Sequence, residues 1–308
     1  MPPLLSIQDL RVDFPDVIAV NGLSMELEAG DVYALIGPNG AGKTTTMRAI
    51  AGLQECTRGE IYICGQPISR NPRDTNQLFG FMPDFSPVYD KLTVMEFLDH
   101  FARAYDLPDR GKRISECIEL TWLTEKRNAL CDGLSRGMKQ RLTLAKTLLH
   151  DPKLLLLDEP ASGLDPLGRI ELRKLLLQLR SMGKAILVSS HILTELAEFC
   201  NNVGIMERGQ LILSGPIGEL ANVKGSRSML LSWRTSDHDV ESLLKNLAGV
   251  SNLRIEAHRA SFDFAGDDEA LDQILPSLVR AGVRVTEWRE RVQNLEQIFL
   301  ESGARSVM

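Results

Sequence analysis

Three observations predict an α/β fold, a mixed or parallel sheet core covered by helices and followed by a smaller α+β domain. Near-continuous apolar stretches, DVYALIG (31–37), LLLLDEP (154–160) and AILVSSH (185–191), read as strands buried on both faces. Segments of helical periodicity separate them, the alternation that builds a parallel sheet. After residue 228 the rhythm changes to short strands and helices in β-α-β-β-α-β order, a split β-α-β unit.

Each element follows from its own pattern. Residues 5–14 and 17–28 read as two strands joined by a turn at Pro15-Asp16, with Leu10, Val12 and Phe14 alternating with polar neighbours. Strand 31–37 runs into the glycine-rich GPNGAGKTT and the helix TTTMRAIAGL, and a further strand is expected over 75–83. From 93 to about 150 the period is helical, in TVMEFLDHFARAY, GKRISECIELTWL and SRGMKQRLTLAKTLL. Thr93 and Glu96 have the spacing of a capping box. After the strand 154–160 come a helix (171–182), the strand 185–191, the helical LTELAEFC and two short strands at 203–207 and 210–214. These complete a first domain over 1–221 with a helical subdomain at about 85–150. The polar NVKGSRS (222–228) is the expected linker. The second domain, 229–308, reads as strand (229–233), helix (239–248), strands (252–257 and 260–264), helix (269–281), strand (283–287) and a short helix (294–302), a ferredoxin-like order.

Composition narrows the class. With 308 residues, 44% hydrophobic and 25% charged, the chain is neither wholly disordered, collagen-like nor a disulfide-rich mini-protein. The net charge of −6, from 35 basic and 41 acidic residues, is too mild to indicate a polyanionic partner or to exclude one. Cys56, Cys64, Cys117, Cys131 and Cys200 are odd in number and form no C-x-x-C pair, so reduced thiols of a cytosolic protein are expected. The opening MPPLLSIQDLRVDF has no basic region followed by an apolar stretch, so no signal peptide is expected. No apolar run approaches the ~18 residues that span a bilayer, so any membrane role must come through a partner chain.

Two motifs carry chemistry. Gly37-Pro38-Asn39-Gly40-Ala41-Gly42-Lys43-Thr44-Thr45 matches G-x-x-x-x-G-K-[ST] between a buried strand and a helix. Its glycines let backbone N–H groups turn toward phosphates, and the helix adds its positive N-terminal end. Lys43 supplies a charge for the β/γ-phosphates, and the Thr44 hydroxyl can ligate Mg²⁺. The apolar strand Leu154–Asp158, followed by Glu159, ends in two carboxylates: the first can hold a Mg²⁺-bound water, the second can polarise an attacking water.

With LSRGMKQRL (134–142), which resembles the LSGGQ signature, the chain resembles an ATP-binding subunit of an ABC transporter. Ser162-Gly163-Leu164-Asp165 resembles the D-loop and His191 the switch histidine, while Phe14 matches the aromatic that stacks on adenine. These elements span 1–220. The resemblance implies ATP hydrolysis with Mg²⁺ and a homodimer or heterodimer around two ATP. It implies a separate transmembrane permease, a place on the cytoplasmic face of the membrane and no nucleic-acid partner. Ser135 and Gly137 would meet the γ-phosphate bound to a second chain, an anion site at a helix N-terminus, and Asp165 would belong to the same interface. The end NLEQIFLESG is similar to the closing motif of an accessory domain in the export-type branch, a module for stability, dimerisation or regulation.

The chain departs from that family at named positions. Arg136 and Met138 stand within the signature; Arg136 either adds charge near the phosphate or faces solvent. Asp84 stands where the Q-loop glutamine is expected, with a full charge and, when ionised, no donor; Gln77 lies inside the expected strand, too early to replace it. Asp84 is carried as a candidate metal residue beside Thr44 and Asp158. Phe85, Val88 and Tyr89 form either local packing or a socket for the permease. Two other functions remain in view. A soluble ATPase of DNA repair or translation usually carries coiled-coil insertions, zinc modules or a second ATPase unit. A degenerate regulatory module is opposed by Lys43, Asp158, Glu159 and His191, and favoured by Asp84.

Overall fold

The computed structural model describes residues 2–68, 75–84, 87–191, 199–220, 227–236 and 238–290. Two compact units emerge, Met1–Gly215 and Pro216–Met308.

The first unit contains two sheets. Strands β1 (Leu5–Phe14) and β2 (Val17–Leu27) pair antiparallel, as the alternation requires. They are joined by β4 (Arg58–Ile63) and β5 (Gln66–Pro67), in the order β2-β1-β4-β5. The second sheet has the order β10-β9-β3-β8-β7-β6. It is built from β3 (Val32–Ile36), β6 (Phe79–Met82), β7 (Leu154–Leu157), β8 (Ala185–Ser190), β9 (Asn202–Glu207) and β10 (Gln210–Pro216). The pairs β6–β7, β7–β8, β8–β3 and β3–β9 are parallel. Every residue of β3, β7 and β8 is buried, which is why these strands are almost wholly apolar, the serines at the end of β8 excepted. Helix α1 (Lys43–Ile50) shares one core with both sheets: Met47 packs in the cluster that holds Leu10, Leu23, Leu35, Ile61 and Leu156.

The helical subdomain holds α2 (Val94–Ala104), α3 (Arg110–Leu120) and α4 (Arg136–Leu148). The capping box at α2 is formed: Glu96 N–H donates to Thr93 Oγ1 at 3.2 Å, and Thr93 N–H donates to Glu96 Oε2 at 2.8 Å. Helix α5 (Pro166–Ser181) begins five residues before the expected start at 171. Asp165 caps it by accepting from Gly168 N–H at 2.9 Å, with Pro166 in the first turn where its missing donor costs nothing.

Several expectations are corrected here. β4 and β5 were not anticipated, and the strand expected over 75–83 is confined to Phe79–Met82, leaving Gln77 in the turn before it. LTELAEFC lies outside the described residues except for Phe199 and Cys200, as do the short helix expected over 294–302 and most of the expected linker. Arg227 and Ser228, assigned to that linker, open β11 (Arg227–Trp233).

The second unit continues with α6 (Val240–Lys245), β12 (Val250–Glu256), β13 (Arg259–Phe264), α7 (Asp268–Arg280) and β14 (Val285–Glu290). Its antiparallel sheet has the order β12-β13-β11-β14, the split β-α-β arrangement. Met229, Leu231, Trp233, Phe262, Ile274 and Leu278 form its separate core. Among the described residues no helix is long and apolar enough to cross a membrane.

Candidate functional site

The carboxyl ends of β3, β7 and β8 bring the site together. After β3 the chain turns through Gly37–Gly42 into α1, and glycine is required where it does so. Gly42 has φ +105, and a Cβ there would lie 2.4 Å from the Ala19 carbonyl oxygen. Lys43 is only 6% exposed. Its Nζ donates back to the carbonyls of Gly37 at 2.7 Å and Pro38 at 3.1 Å, and so spans the loop. Burial lowers its pKa, and the negative charges of Glu159 and Asp158 oppose that shift.

A chain of hydrogen bonds links the loop to the carboxylates. Thr44 Oγ1 donates to Asp158 Oδ2 at 2.8 Å, and Ser189 Oγ donates to Asp158 Oδ1 at 2.6 Å. Asp158 is 1% exposed, so both oxygens of a buried carboxylate are held by hydroxyls. Ser189 Oγ also accepts from Glu159 N–H at 2.9 Å. Glu159 has φ +49, a left-handed backbone unusual for a side chain with Cβ. One of its carboxylate oxygens meets His191 Nδ1 at 2.9 Å. His191, at the end of β8, is half-exposed, while Glu159 is largely buried.

Lys43, Thr44 and Glu159 line a cleft of about 550 Å³, while Asp158, Ser189 and His191 stand behind that lining and reach it through Thr44 and Glu159. Phe14 and Val17, the loop residues Asn39–Thr45, and Asp84, Glu159 and Arg208 are among the residues that line it. Phe14 is 41% exposed, so it is no core aromatic; its ring is available to a flat ligand. Gly37 and Pro38 do not line the cleft but supply the carbonyls that hold Lys43. The loop's rear is braced by the β9–β10 turn: Gly209 N–H donates to the Ala41 carbonyl at 3.0 Å.

Ser135, Gly137 and Asp165 do not line this cleft. Ser135 caps α4, its hydroxyl accepting from Met138 N–H at 3.3 Å. Gly137 lies against Leu164, where a Cβ would come within 3.3 Å of a side-chain methyl. Arg136 does not line the cleft and is exposed to solvent, one of its two expected placements. Its guanidinium lies over Gly163, where a Cβ would sit 2.5 Å from Nε, and Nη2 donates to Ser162 Oγ at 3.4 Å.

Sequence reasoning missed Ser189, Arg208 and Gln140, the last donating to two carbonyls after β7. The signal for Ser189 is the pair of small polar residues ending an otherwise apolar strand, AILVSS. Among the described residues, no cluster of three or more His, Cys, Asp or Glu side chains can hold a metal by itself. The donor set is one hydroxyl and one buried carboxylate, Thr44 and Asp158, beside a phosphate-binding loop. That set suits Mg²⁺, which is commonly held by one or two carboxylates plus substrate phosphates.

Similarity to known proteins agrees with this geometry. The family described as "ABC transporter" matches residues 20–162. An uncharacterised ABC transporter ATP-binding protein of Synechocystis sp. is 36% identical over 267 residues, covering 85% of this chain and 73% of that protein. A Nod factor export ATP-binding protein I of Burkholderia lata is 32% identical over 305 residues, covering 98% of each. The structure of cbiO1 from Clostridium perfringens, part of the ABC transporter complex cbiONQ, superposes with a TM-score of 0.66 at 29% identity, over 73% of this chain and 92% of that one. The Thr44–Asp158 contact beside the buried Lys43 and these similarities lead to one conclusion: the chain belongs to the ATP-binding, ATP-hydrolysing subunits of ABC transporters.

Proposed function

We propose that the chain hydrolyses ATP in the cleft of the first unit, as half of a dimer enclosing two ATP, and so powers export through a separate transmembrane permease. The observation that carries the reading is the hydrogen-bonded run Thr44–Asp158–Ser189–Glu159–His191, which unites the phosphate loop with a base and its histidine. Phe14, which lines the cleft and is partly exposed, stacks on the adenine. The amides of Asn39–Thr45 and the Lys43 ammonium hold the phosphates. Thr44 and Asp158 would hold Mg²⁺, whose charge neutralises the β- and γ-phosphates. Glu159 accepts a proton as water adds to the γ-phosphorus and the bond to the ADP oxygen breaks; His191 orients that carboxylate.

Ser135, Gly137 and Asp165 lie outside the chain's own cleft, which fits a role toward the nucleotide of a second chain, either another copy or a similar ATPase. Tyr89, 52% exposed beside the rings of Phe97 and Phe101, offers an apolar contact for the permease, which would place the protein on the cytoplasmic face of the membrane. Val88 is half-buried in the same loop, while Phe85 lies outside the described residues. Export follows the Nod factor export subunits, similar over almost the whole length, whose names also favour transport over repair or translation.

The test is Glu159→Gln, which keeps the shape and removes the base. With saturating Mg-ATP the variant is expected to retain uncleaved nucleotide and elute as a stable dimer in size-exclusion chromatography. A persistent monomer would remove the homodimeric form of the proposal.

A further inference from the structure

Gln140 lies on α4 four residues after Arg136, so both side chains project from one helix face. That face holds the loop after β7 at two points. Gln140 Nε2 donates to the Pro160 carbonyl at 2.7 Å and to the Glu159 carbonyl at 3.3 Å. One turn earlier, Arg136 lies over Gly163 and reaches Ser162 Oγ. Between the two grips the loop closes on itself, Ser162 N–H donating to the Glu159 carbonyl at 3.0 Å.

The held residue is the one whose direction matters. Glu159 has φ +49, and the orientation of Cβ follows φ. Relaxation to negative φ would swing the carboxylate away from His191 Nδ1, now 2.9 Å distant, and from the cleft. Ser189 fixes the amide side of Glu159, and Gln140 fixes its carbonyl side.

We propose that Gln140, assisted by Arg136, is a positioning residue that locks the Glu159–Pro160 turn so that the Glu159 carboxylate is held against His191. The inference rests on the role proposed above for Glu159. It assigns the signature helix a task within its own chain, setting the base of the site formed by that chain's own phosphate loop.

The test uses the full-length protein and Gln140→Glu, which keeps the side chain's shape but sets a carboxylate against two carbonyl oxygens. Gln140→Ala serves as a second variant. Steady-state Mg-ATP hydrolysis is expected to lose about tenfold or more in kcat with KM within about twofold, the split produced by a misaimed catalytic group. Amide hydrogen exchange over 159–164 is expected to accelerate while α1 and β3 keep their protection. Unchanged kcat in Gln140→Glu overturns the proposal. So does a kcat loss without faster exchange at 159–164, or a joint collapse of kcat, KM and thermal stability, which marks a general packing role. Glu159→Gln assayed in parallel separates the premises: full turnover there removes the role of Glu159, and the exchange data alone then decide whether Gln140 holds the turn.

Discussion

The two units of this chain treat buried charge differently. In the first, Lys43, Asp158 and Lys184 are nearly inaccessible to solvent. In the second, Ser228 is the most polar side chain to be buried among the described residues, and charge pairs such as Lys245–Glu241 and Arg289–Glu287 stay on the surface. Burying a charge costs several kcal/mol unless partners compensate, whereas surface pairs are nearly neutral in energy. The first unit therefore carries a cost that the second avoids.

Within the first unit the buried lysines differ again. Lys184 meets a carboxylate, Asp151 Oδ1 at 2.8 Å, along with the Pro152 carbonyl. Among the described residues Lys43 donates to the neutral carbonyls of its loop, and burial pulls its pKa down. A buried ammonium whose direct partners are neutral is suited to an arriving anion. The difference separates a unit built around a chemical site from one built around an apolar core.

The largest effect that can break this comparison is expected from Phe262→Ala. Phe262 is 1% exposed in the core of the second unit, and such truncations cost about 3–5 kcal/mol. Calorimetry should show a transition of the second unit moving to lower temperature, with nucleotide affinity in the first unit unchanged within about twofold. A large loss of ATP affinity would show that the second unit supports the site.

Lys43→Ala should do the reverse. Removing the ammonium that faces the phosphates is expected to weaken ATP binding about 100-fold, or roughly 3 kcal/mol, within the range of strong charge-assisted contacts. Titration with a fluorescent ATP analogue reads this directly, and circular dichroism should show no loss of either unit. Unchanged affinity would remove the phosphate-loop assignment.

How much of this was legible in sequence follows from the range of the contacts involved. The loop from Gly37 to Thr45 is a local pattern flanked by a buried strand and a helix, and it folds as read. The Thr93–Glu96 box is equally local. By contrast, β4 pairs with β1, about fifty residues earlier, and Gly59 at φ +94 interrupts its alternation. Ser189 reaches Asp158 across 31 positions, and Gln140 reaches Pro160 across 20. Nothing in the local pattern of either segment names the other. Arg136 shows the same limit: it is exposed to solvent, one of its two expected placements, but its packing on Gly163, 27 positions away, has no local signal.

The smallest effect is expected at Asp84, which the sequence reading sets in the place of the expected Q-loop glutamine. It follows β6, whose pairing with β7 brings it to the same end of the sheet as Asp158, and it lines the cleft with Lys43, Thr44 and Glu159. A carboxylate there adds a full negative charge where a neutral amide is usual, and it attracts a divalent cation without donating a hydrogen bond. Unlike Asp158, it is exposed, and its charge is screened accordingly. Asp84→Ala should therefore raise the Mg²⁺ concentration for half-maximal hydrolysis only about threefold, worth roughly 0.7 kcal/mol, and leave ATP binding intact. Asp84→Gln should keep most activity while losing the same increment of Mg²⁺ affinity. Measuring hydrolysis by the isolated chain against Mg²⁺ concentration decides between the two sides of this residue. A curve identical to that of the unaltered protein would turn Asp84 away from the metal and toward the permease, where the variant's failure would appear as hydrolysis uncoupled from transport.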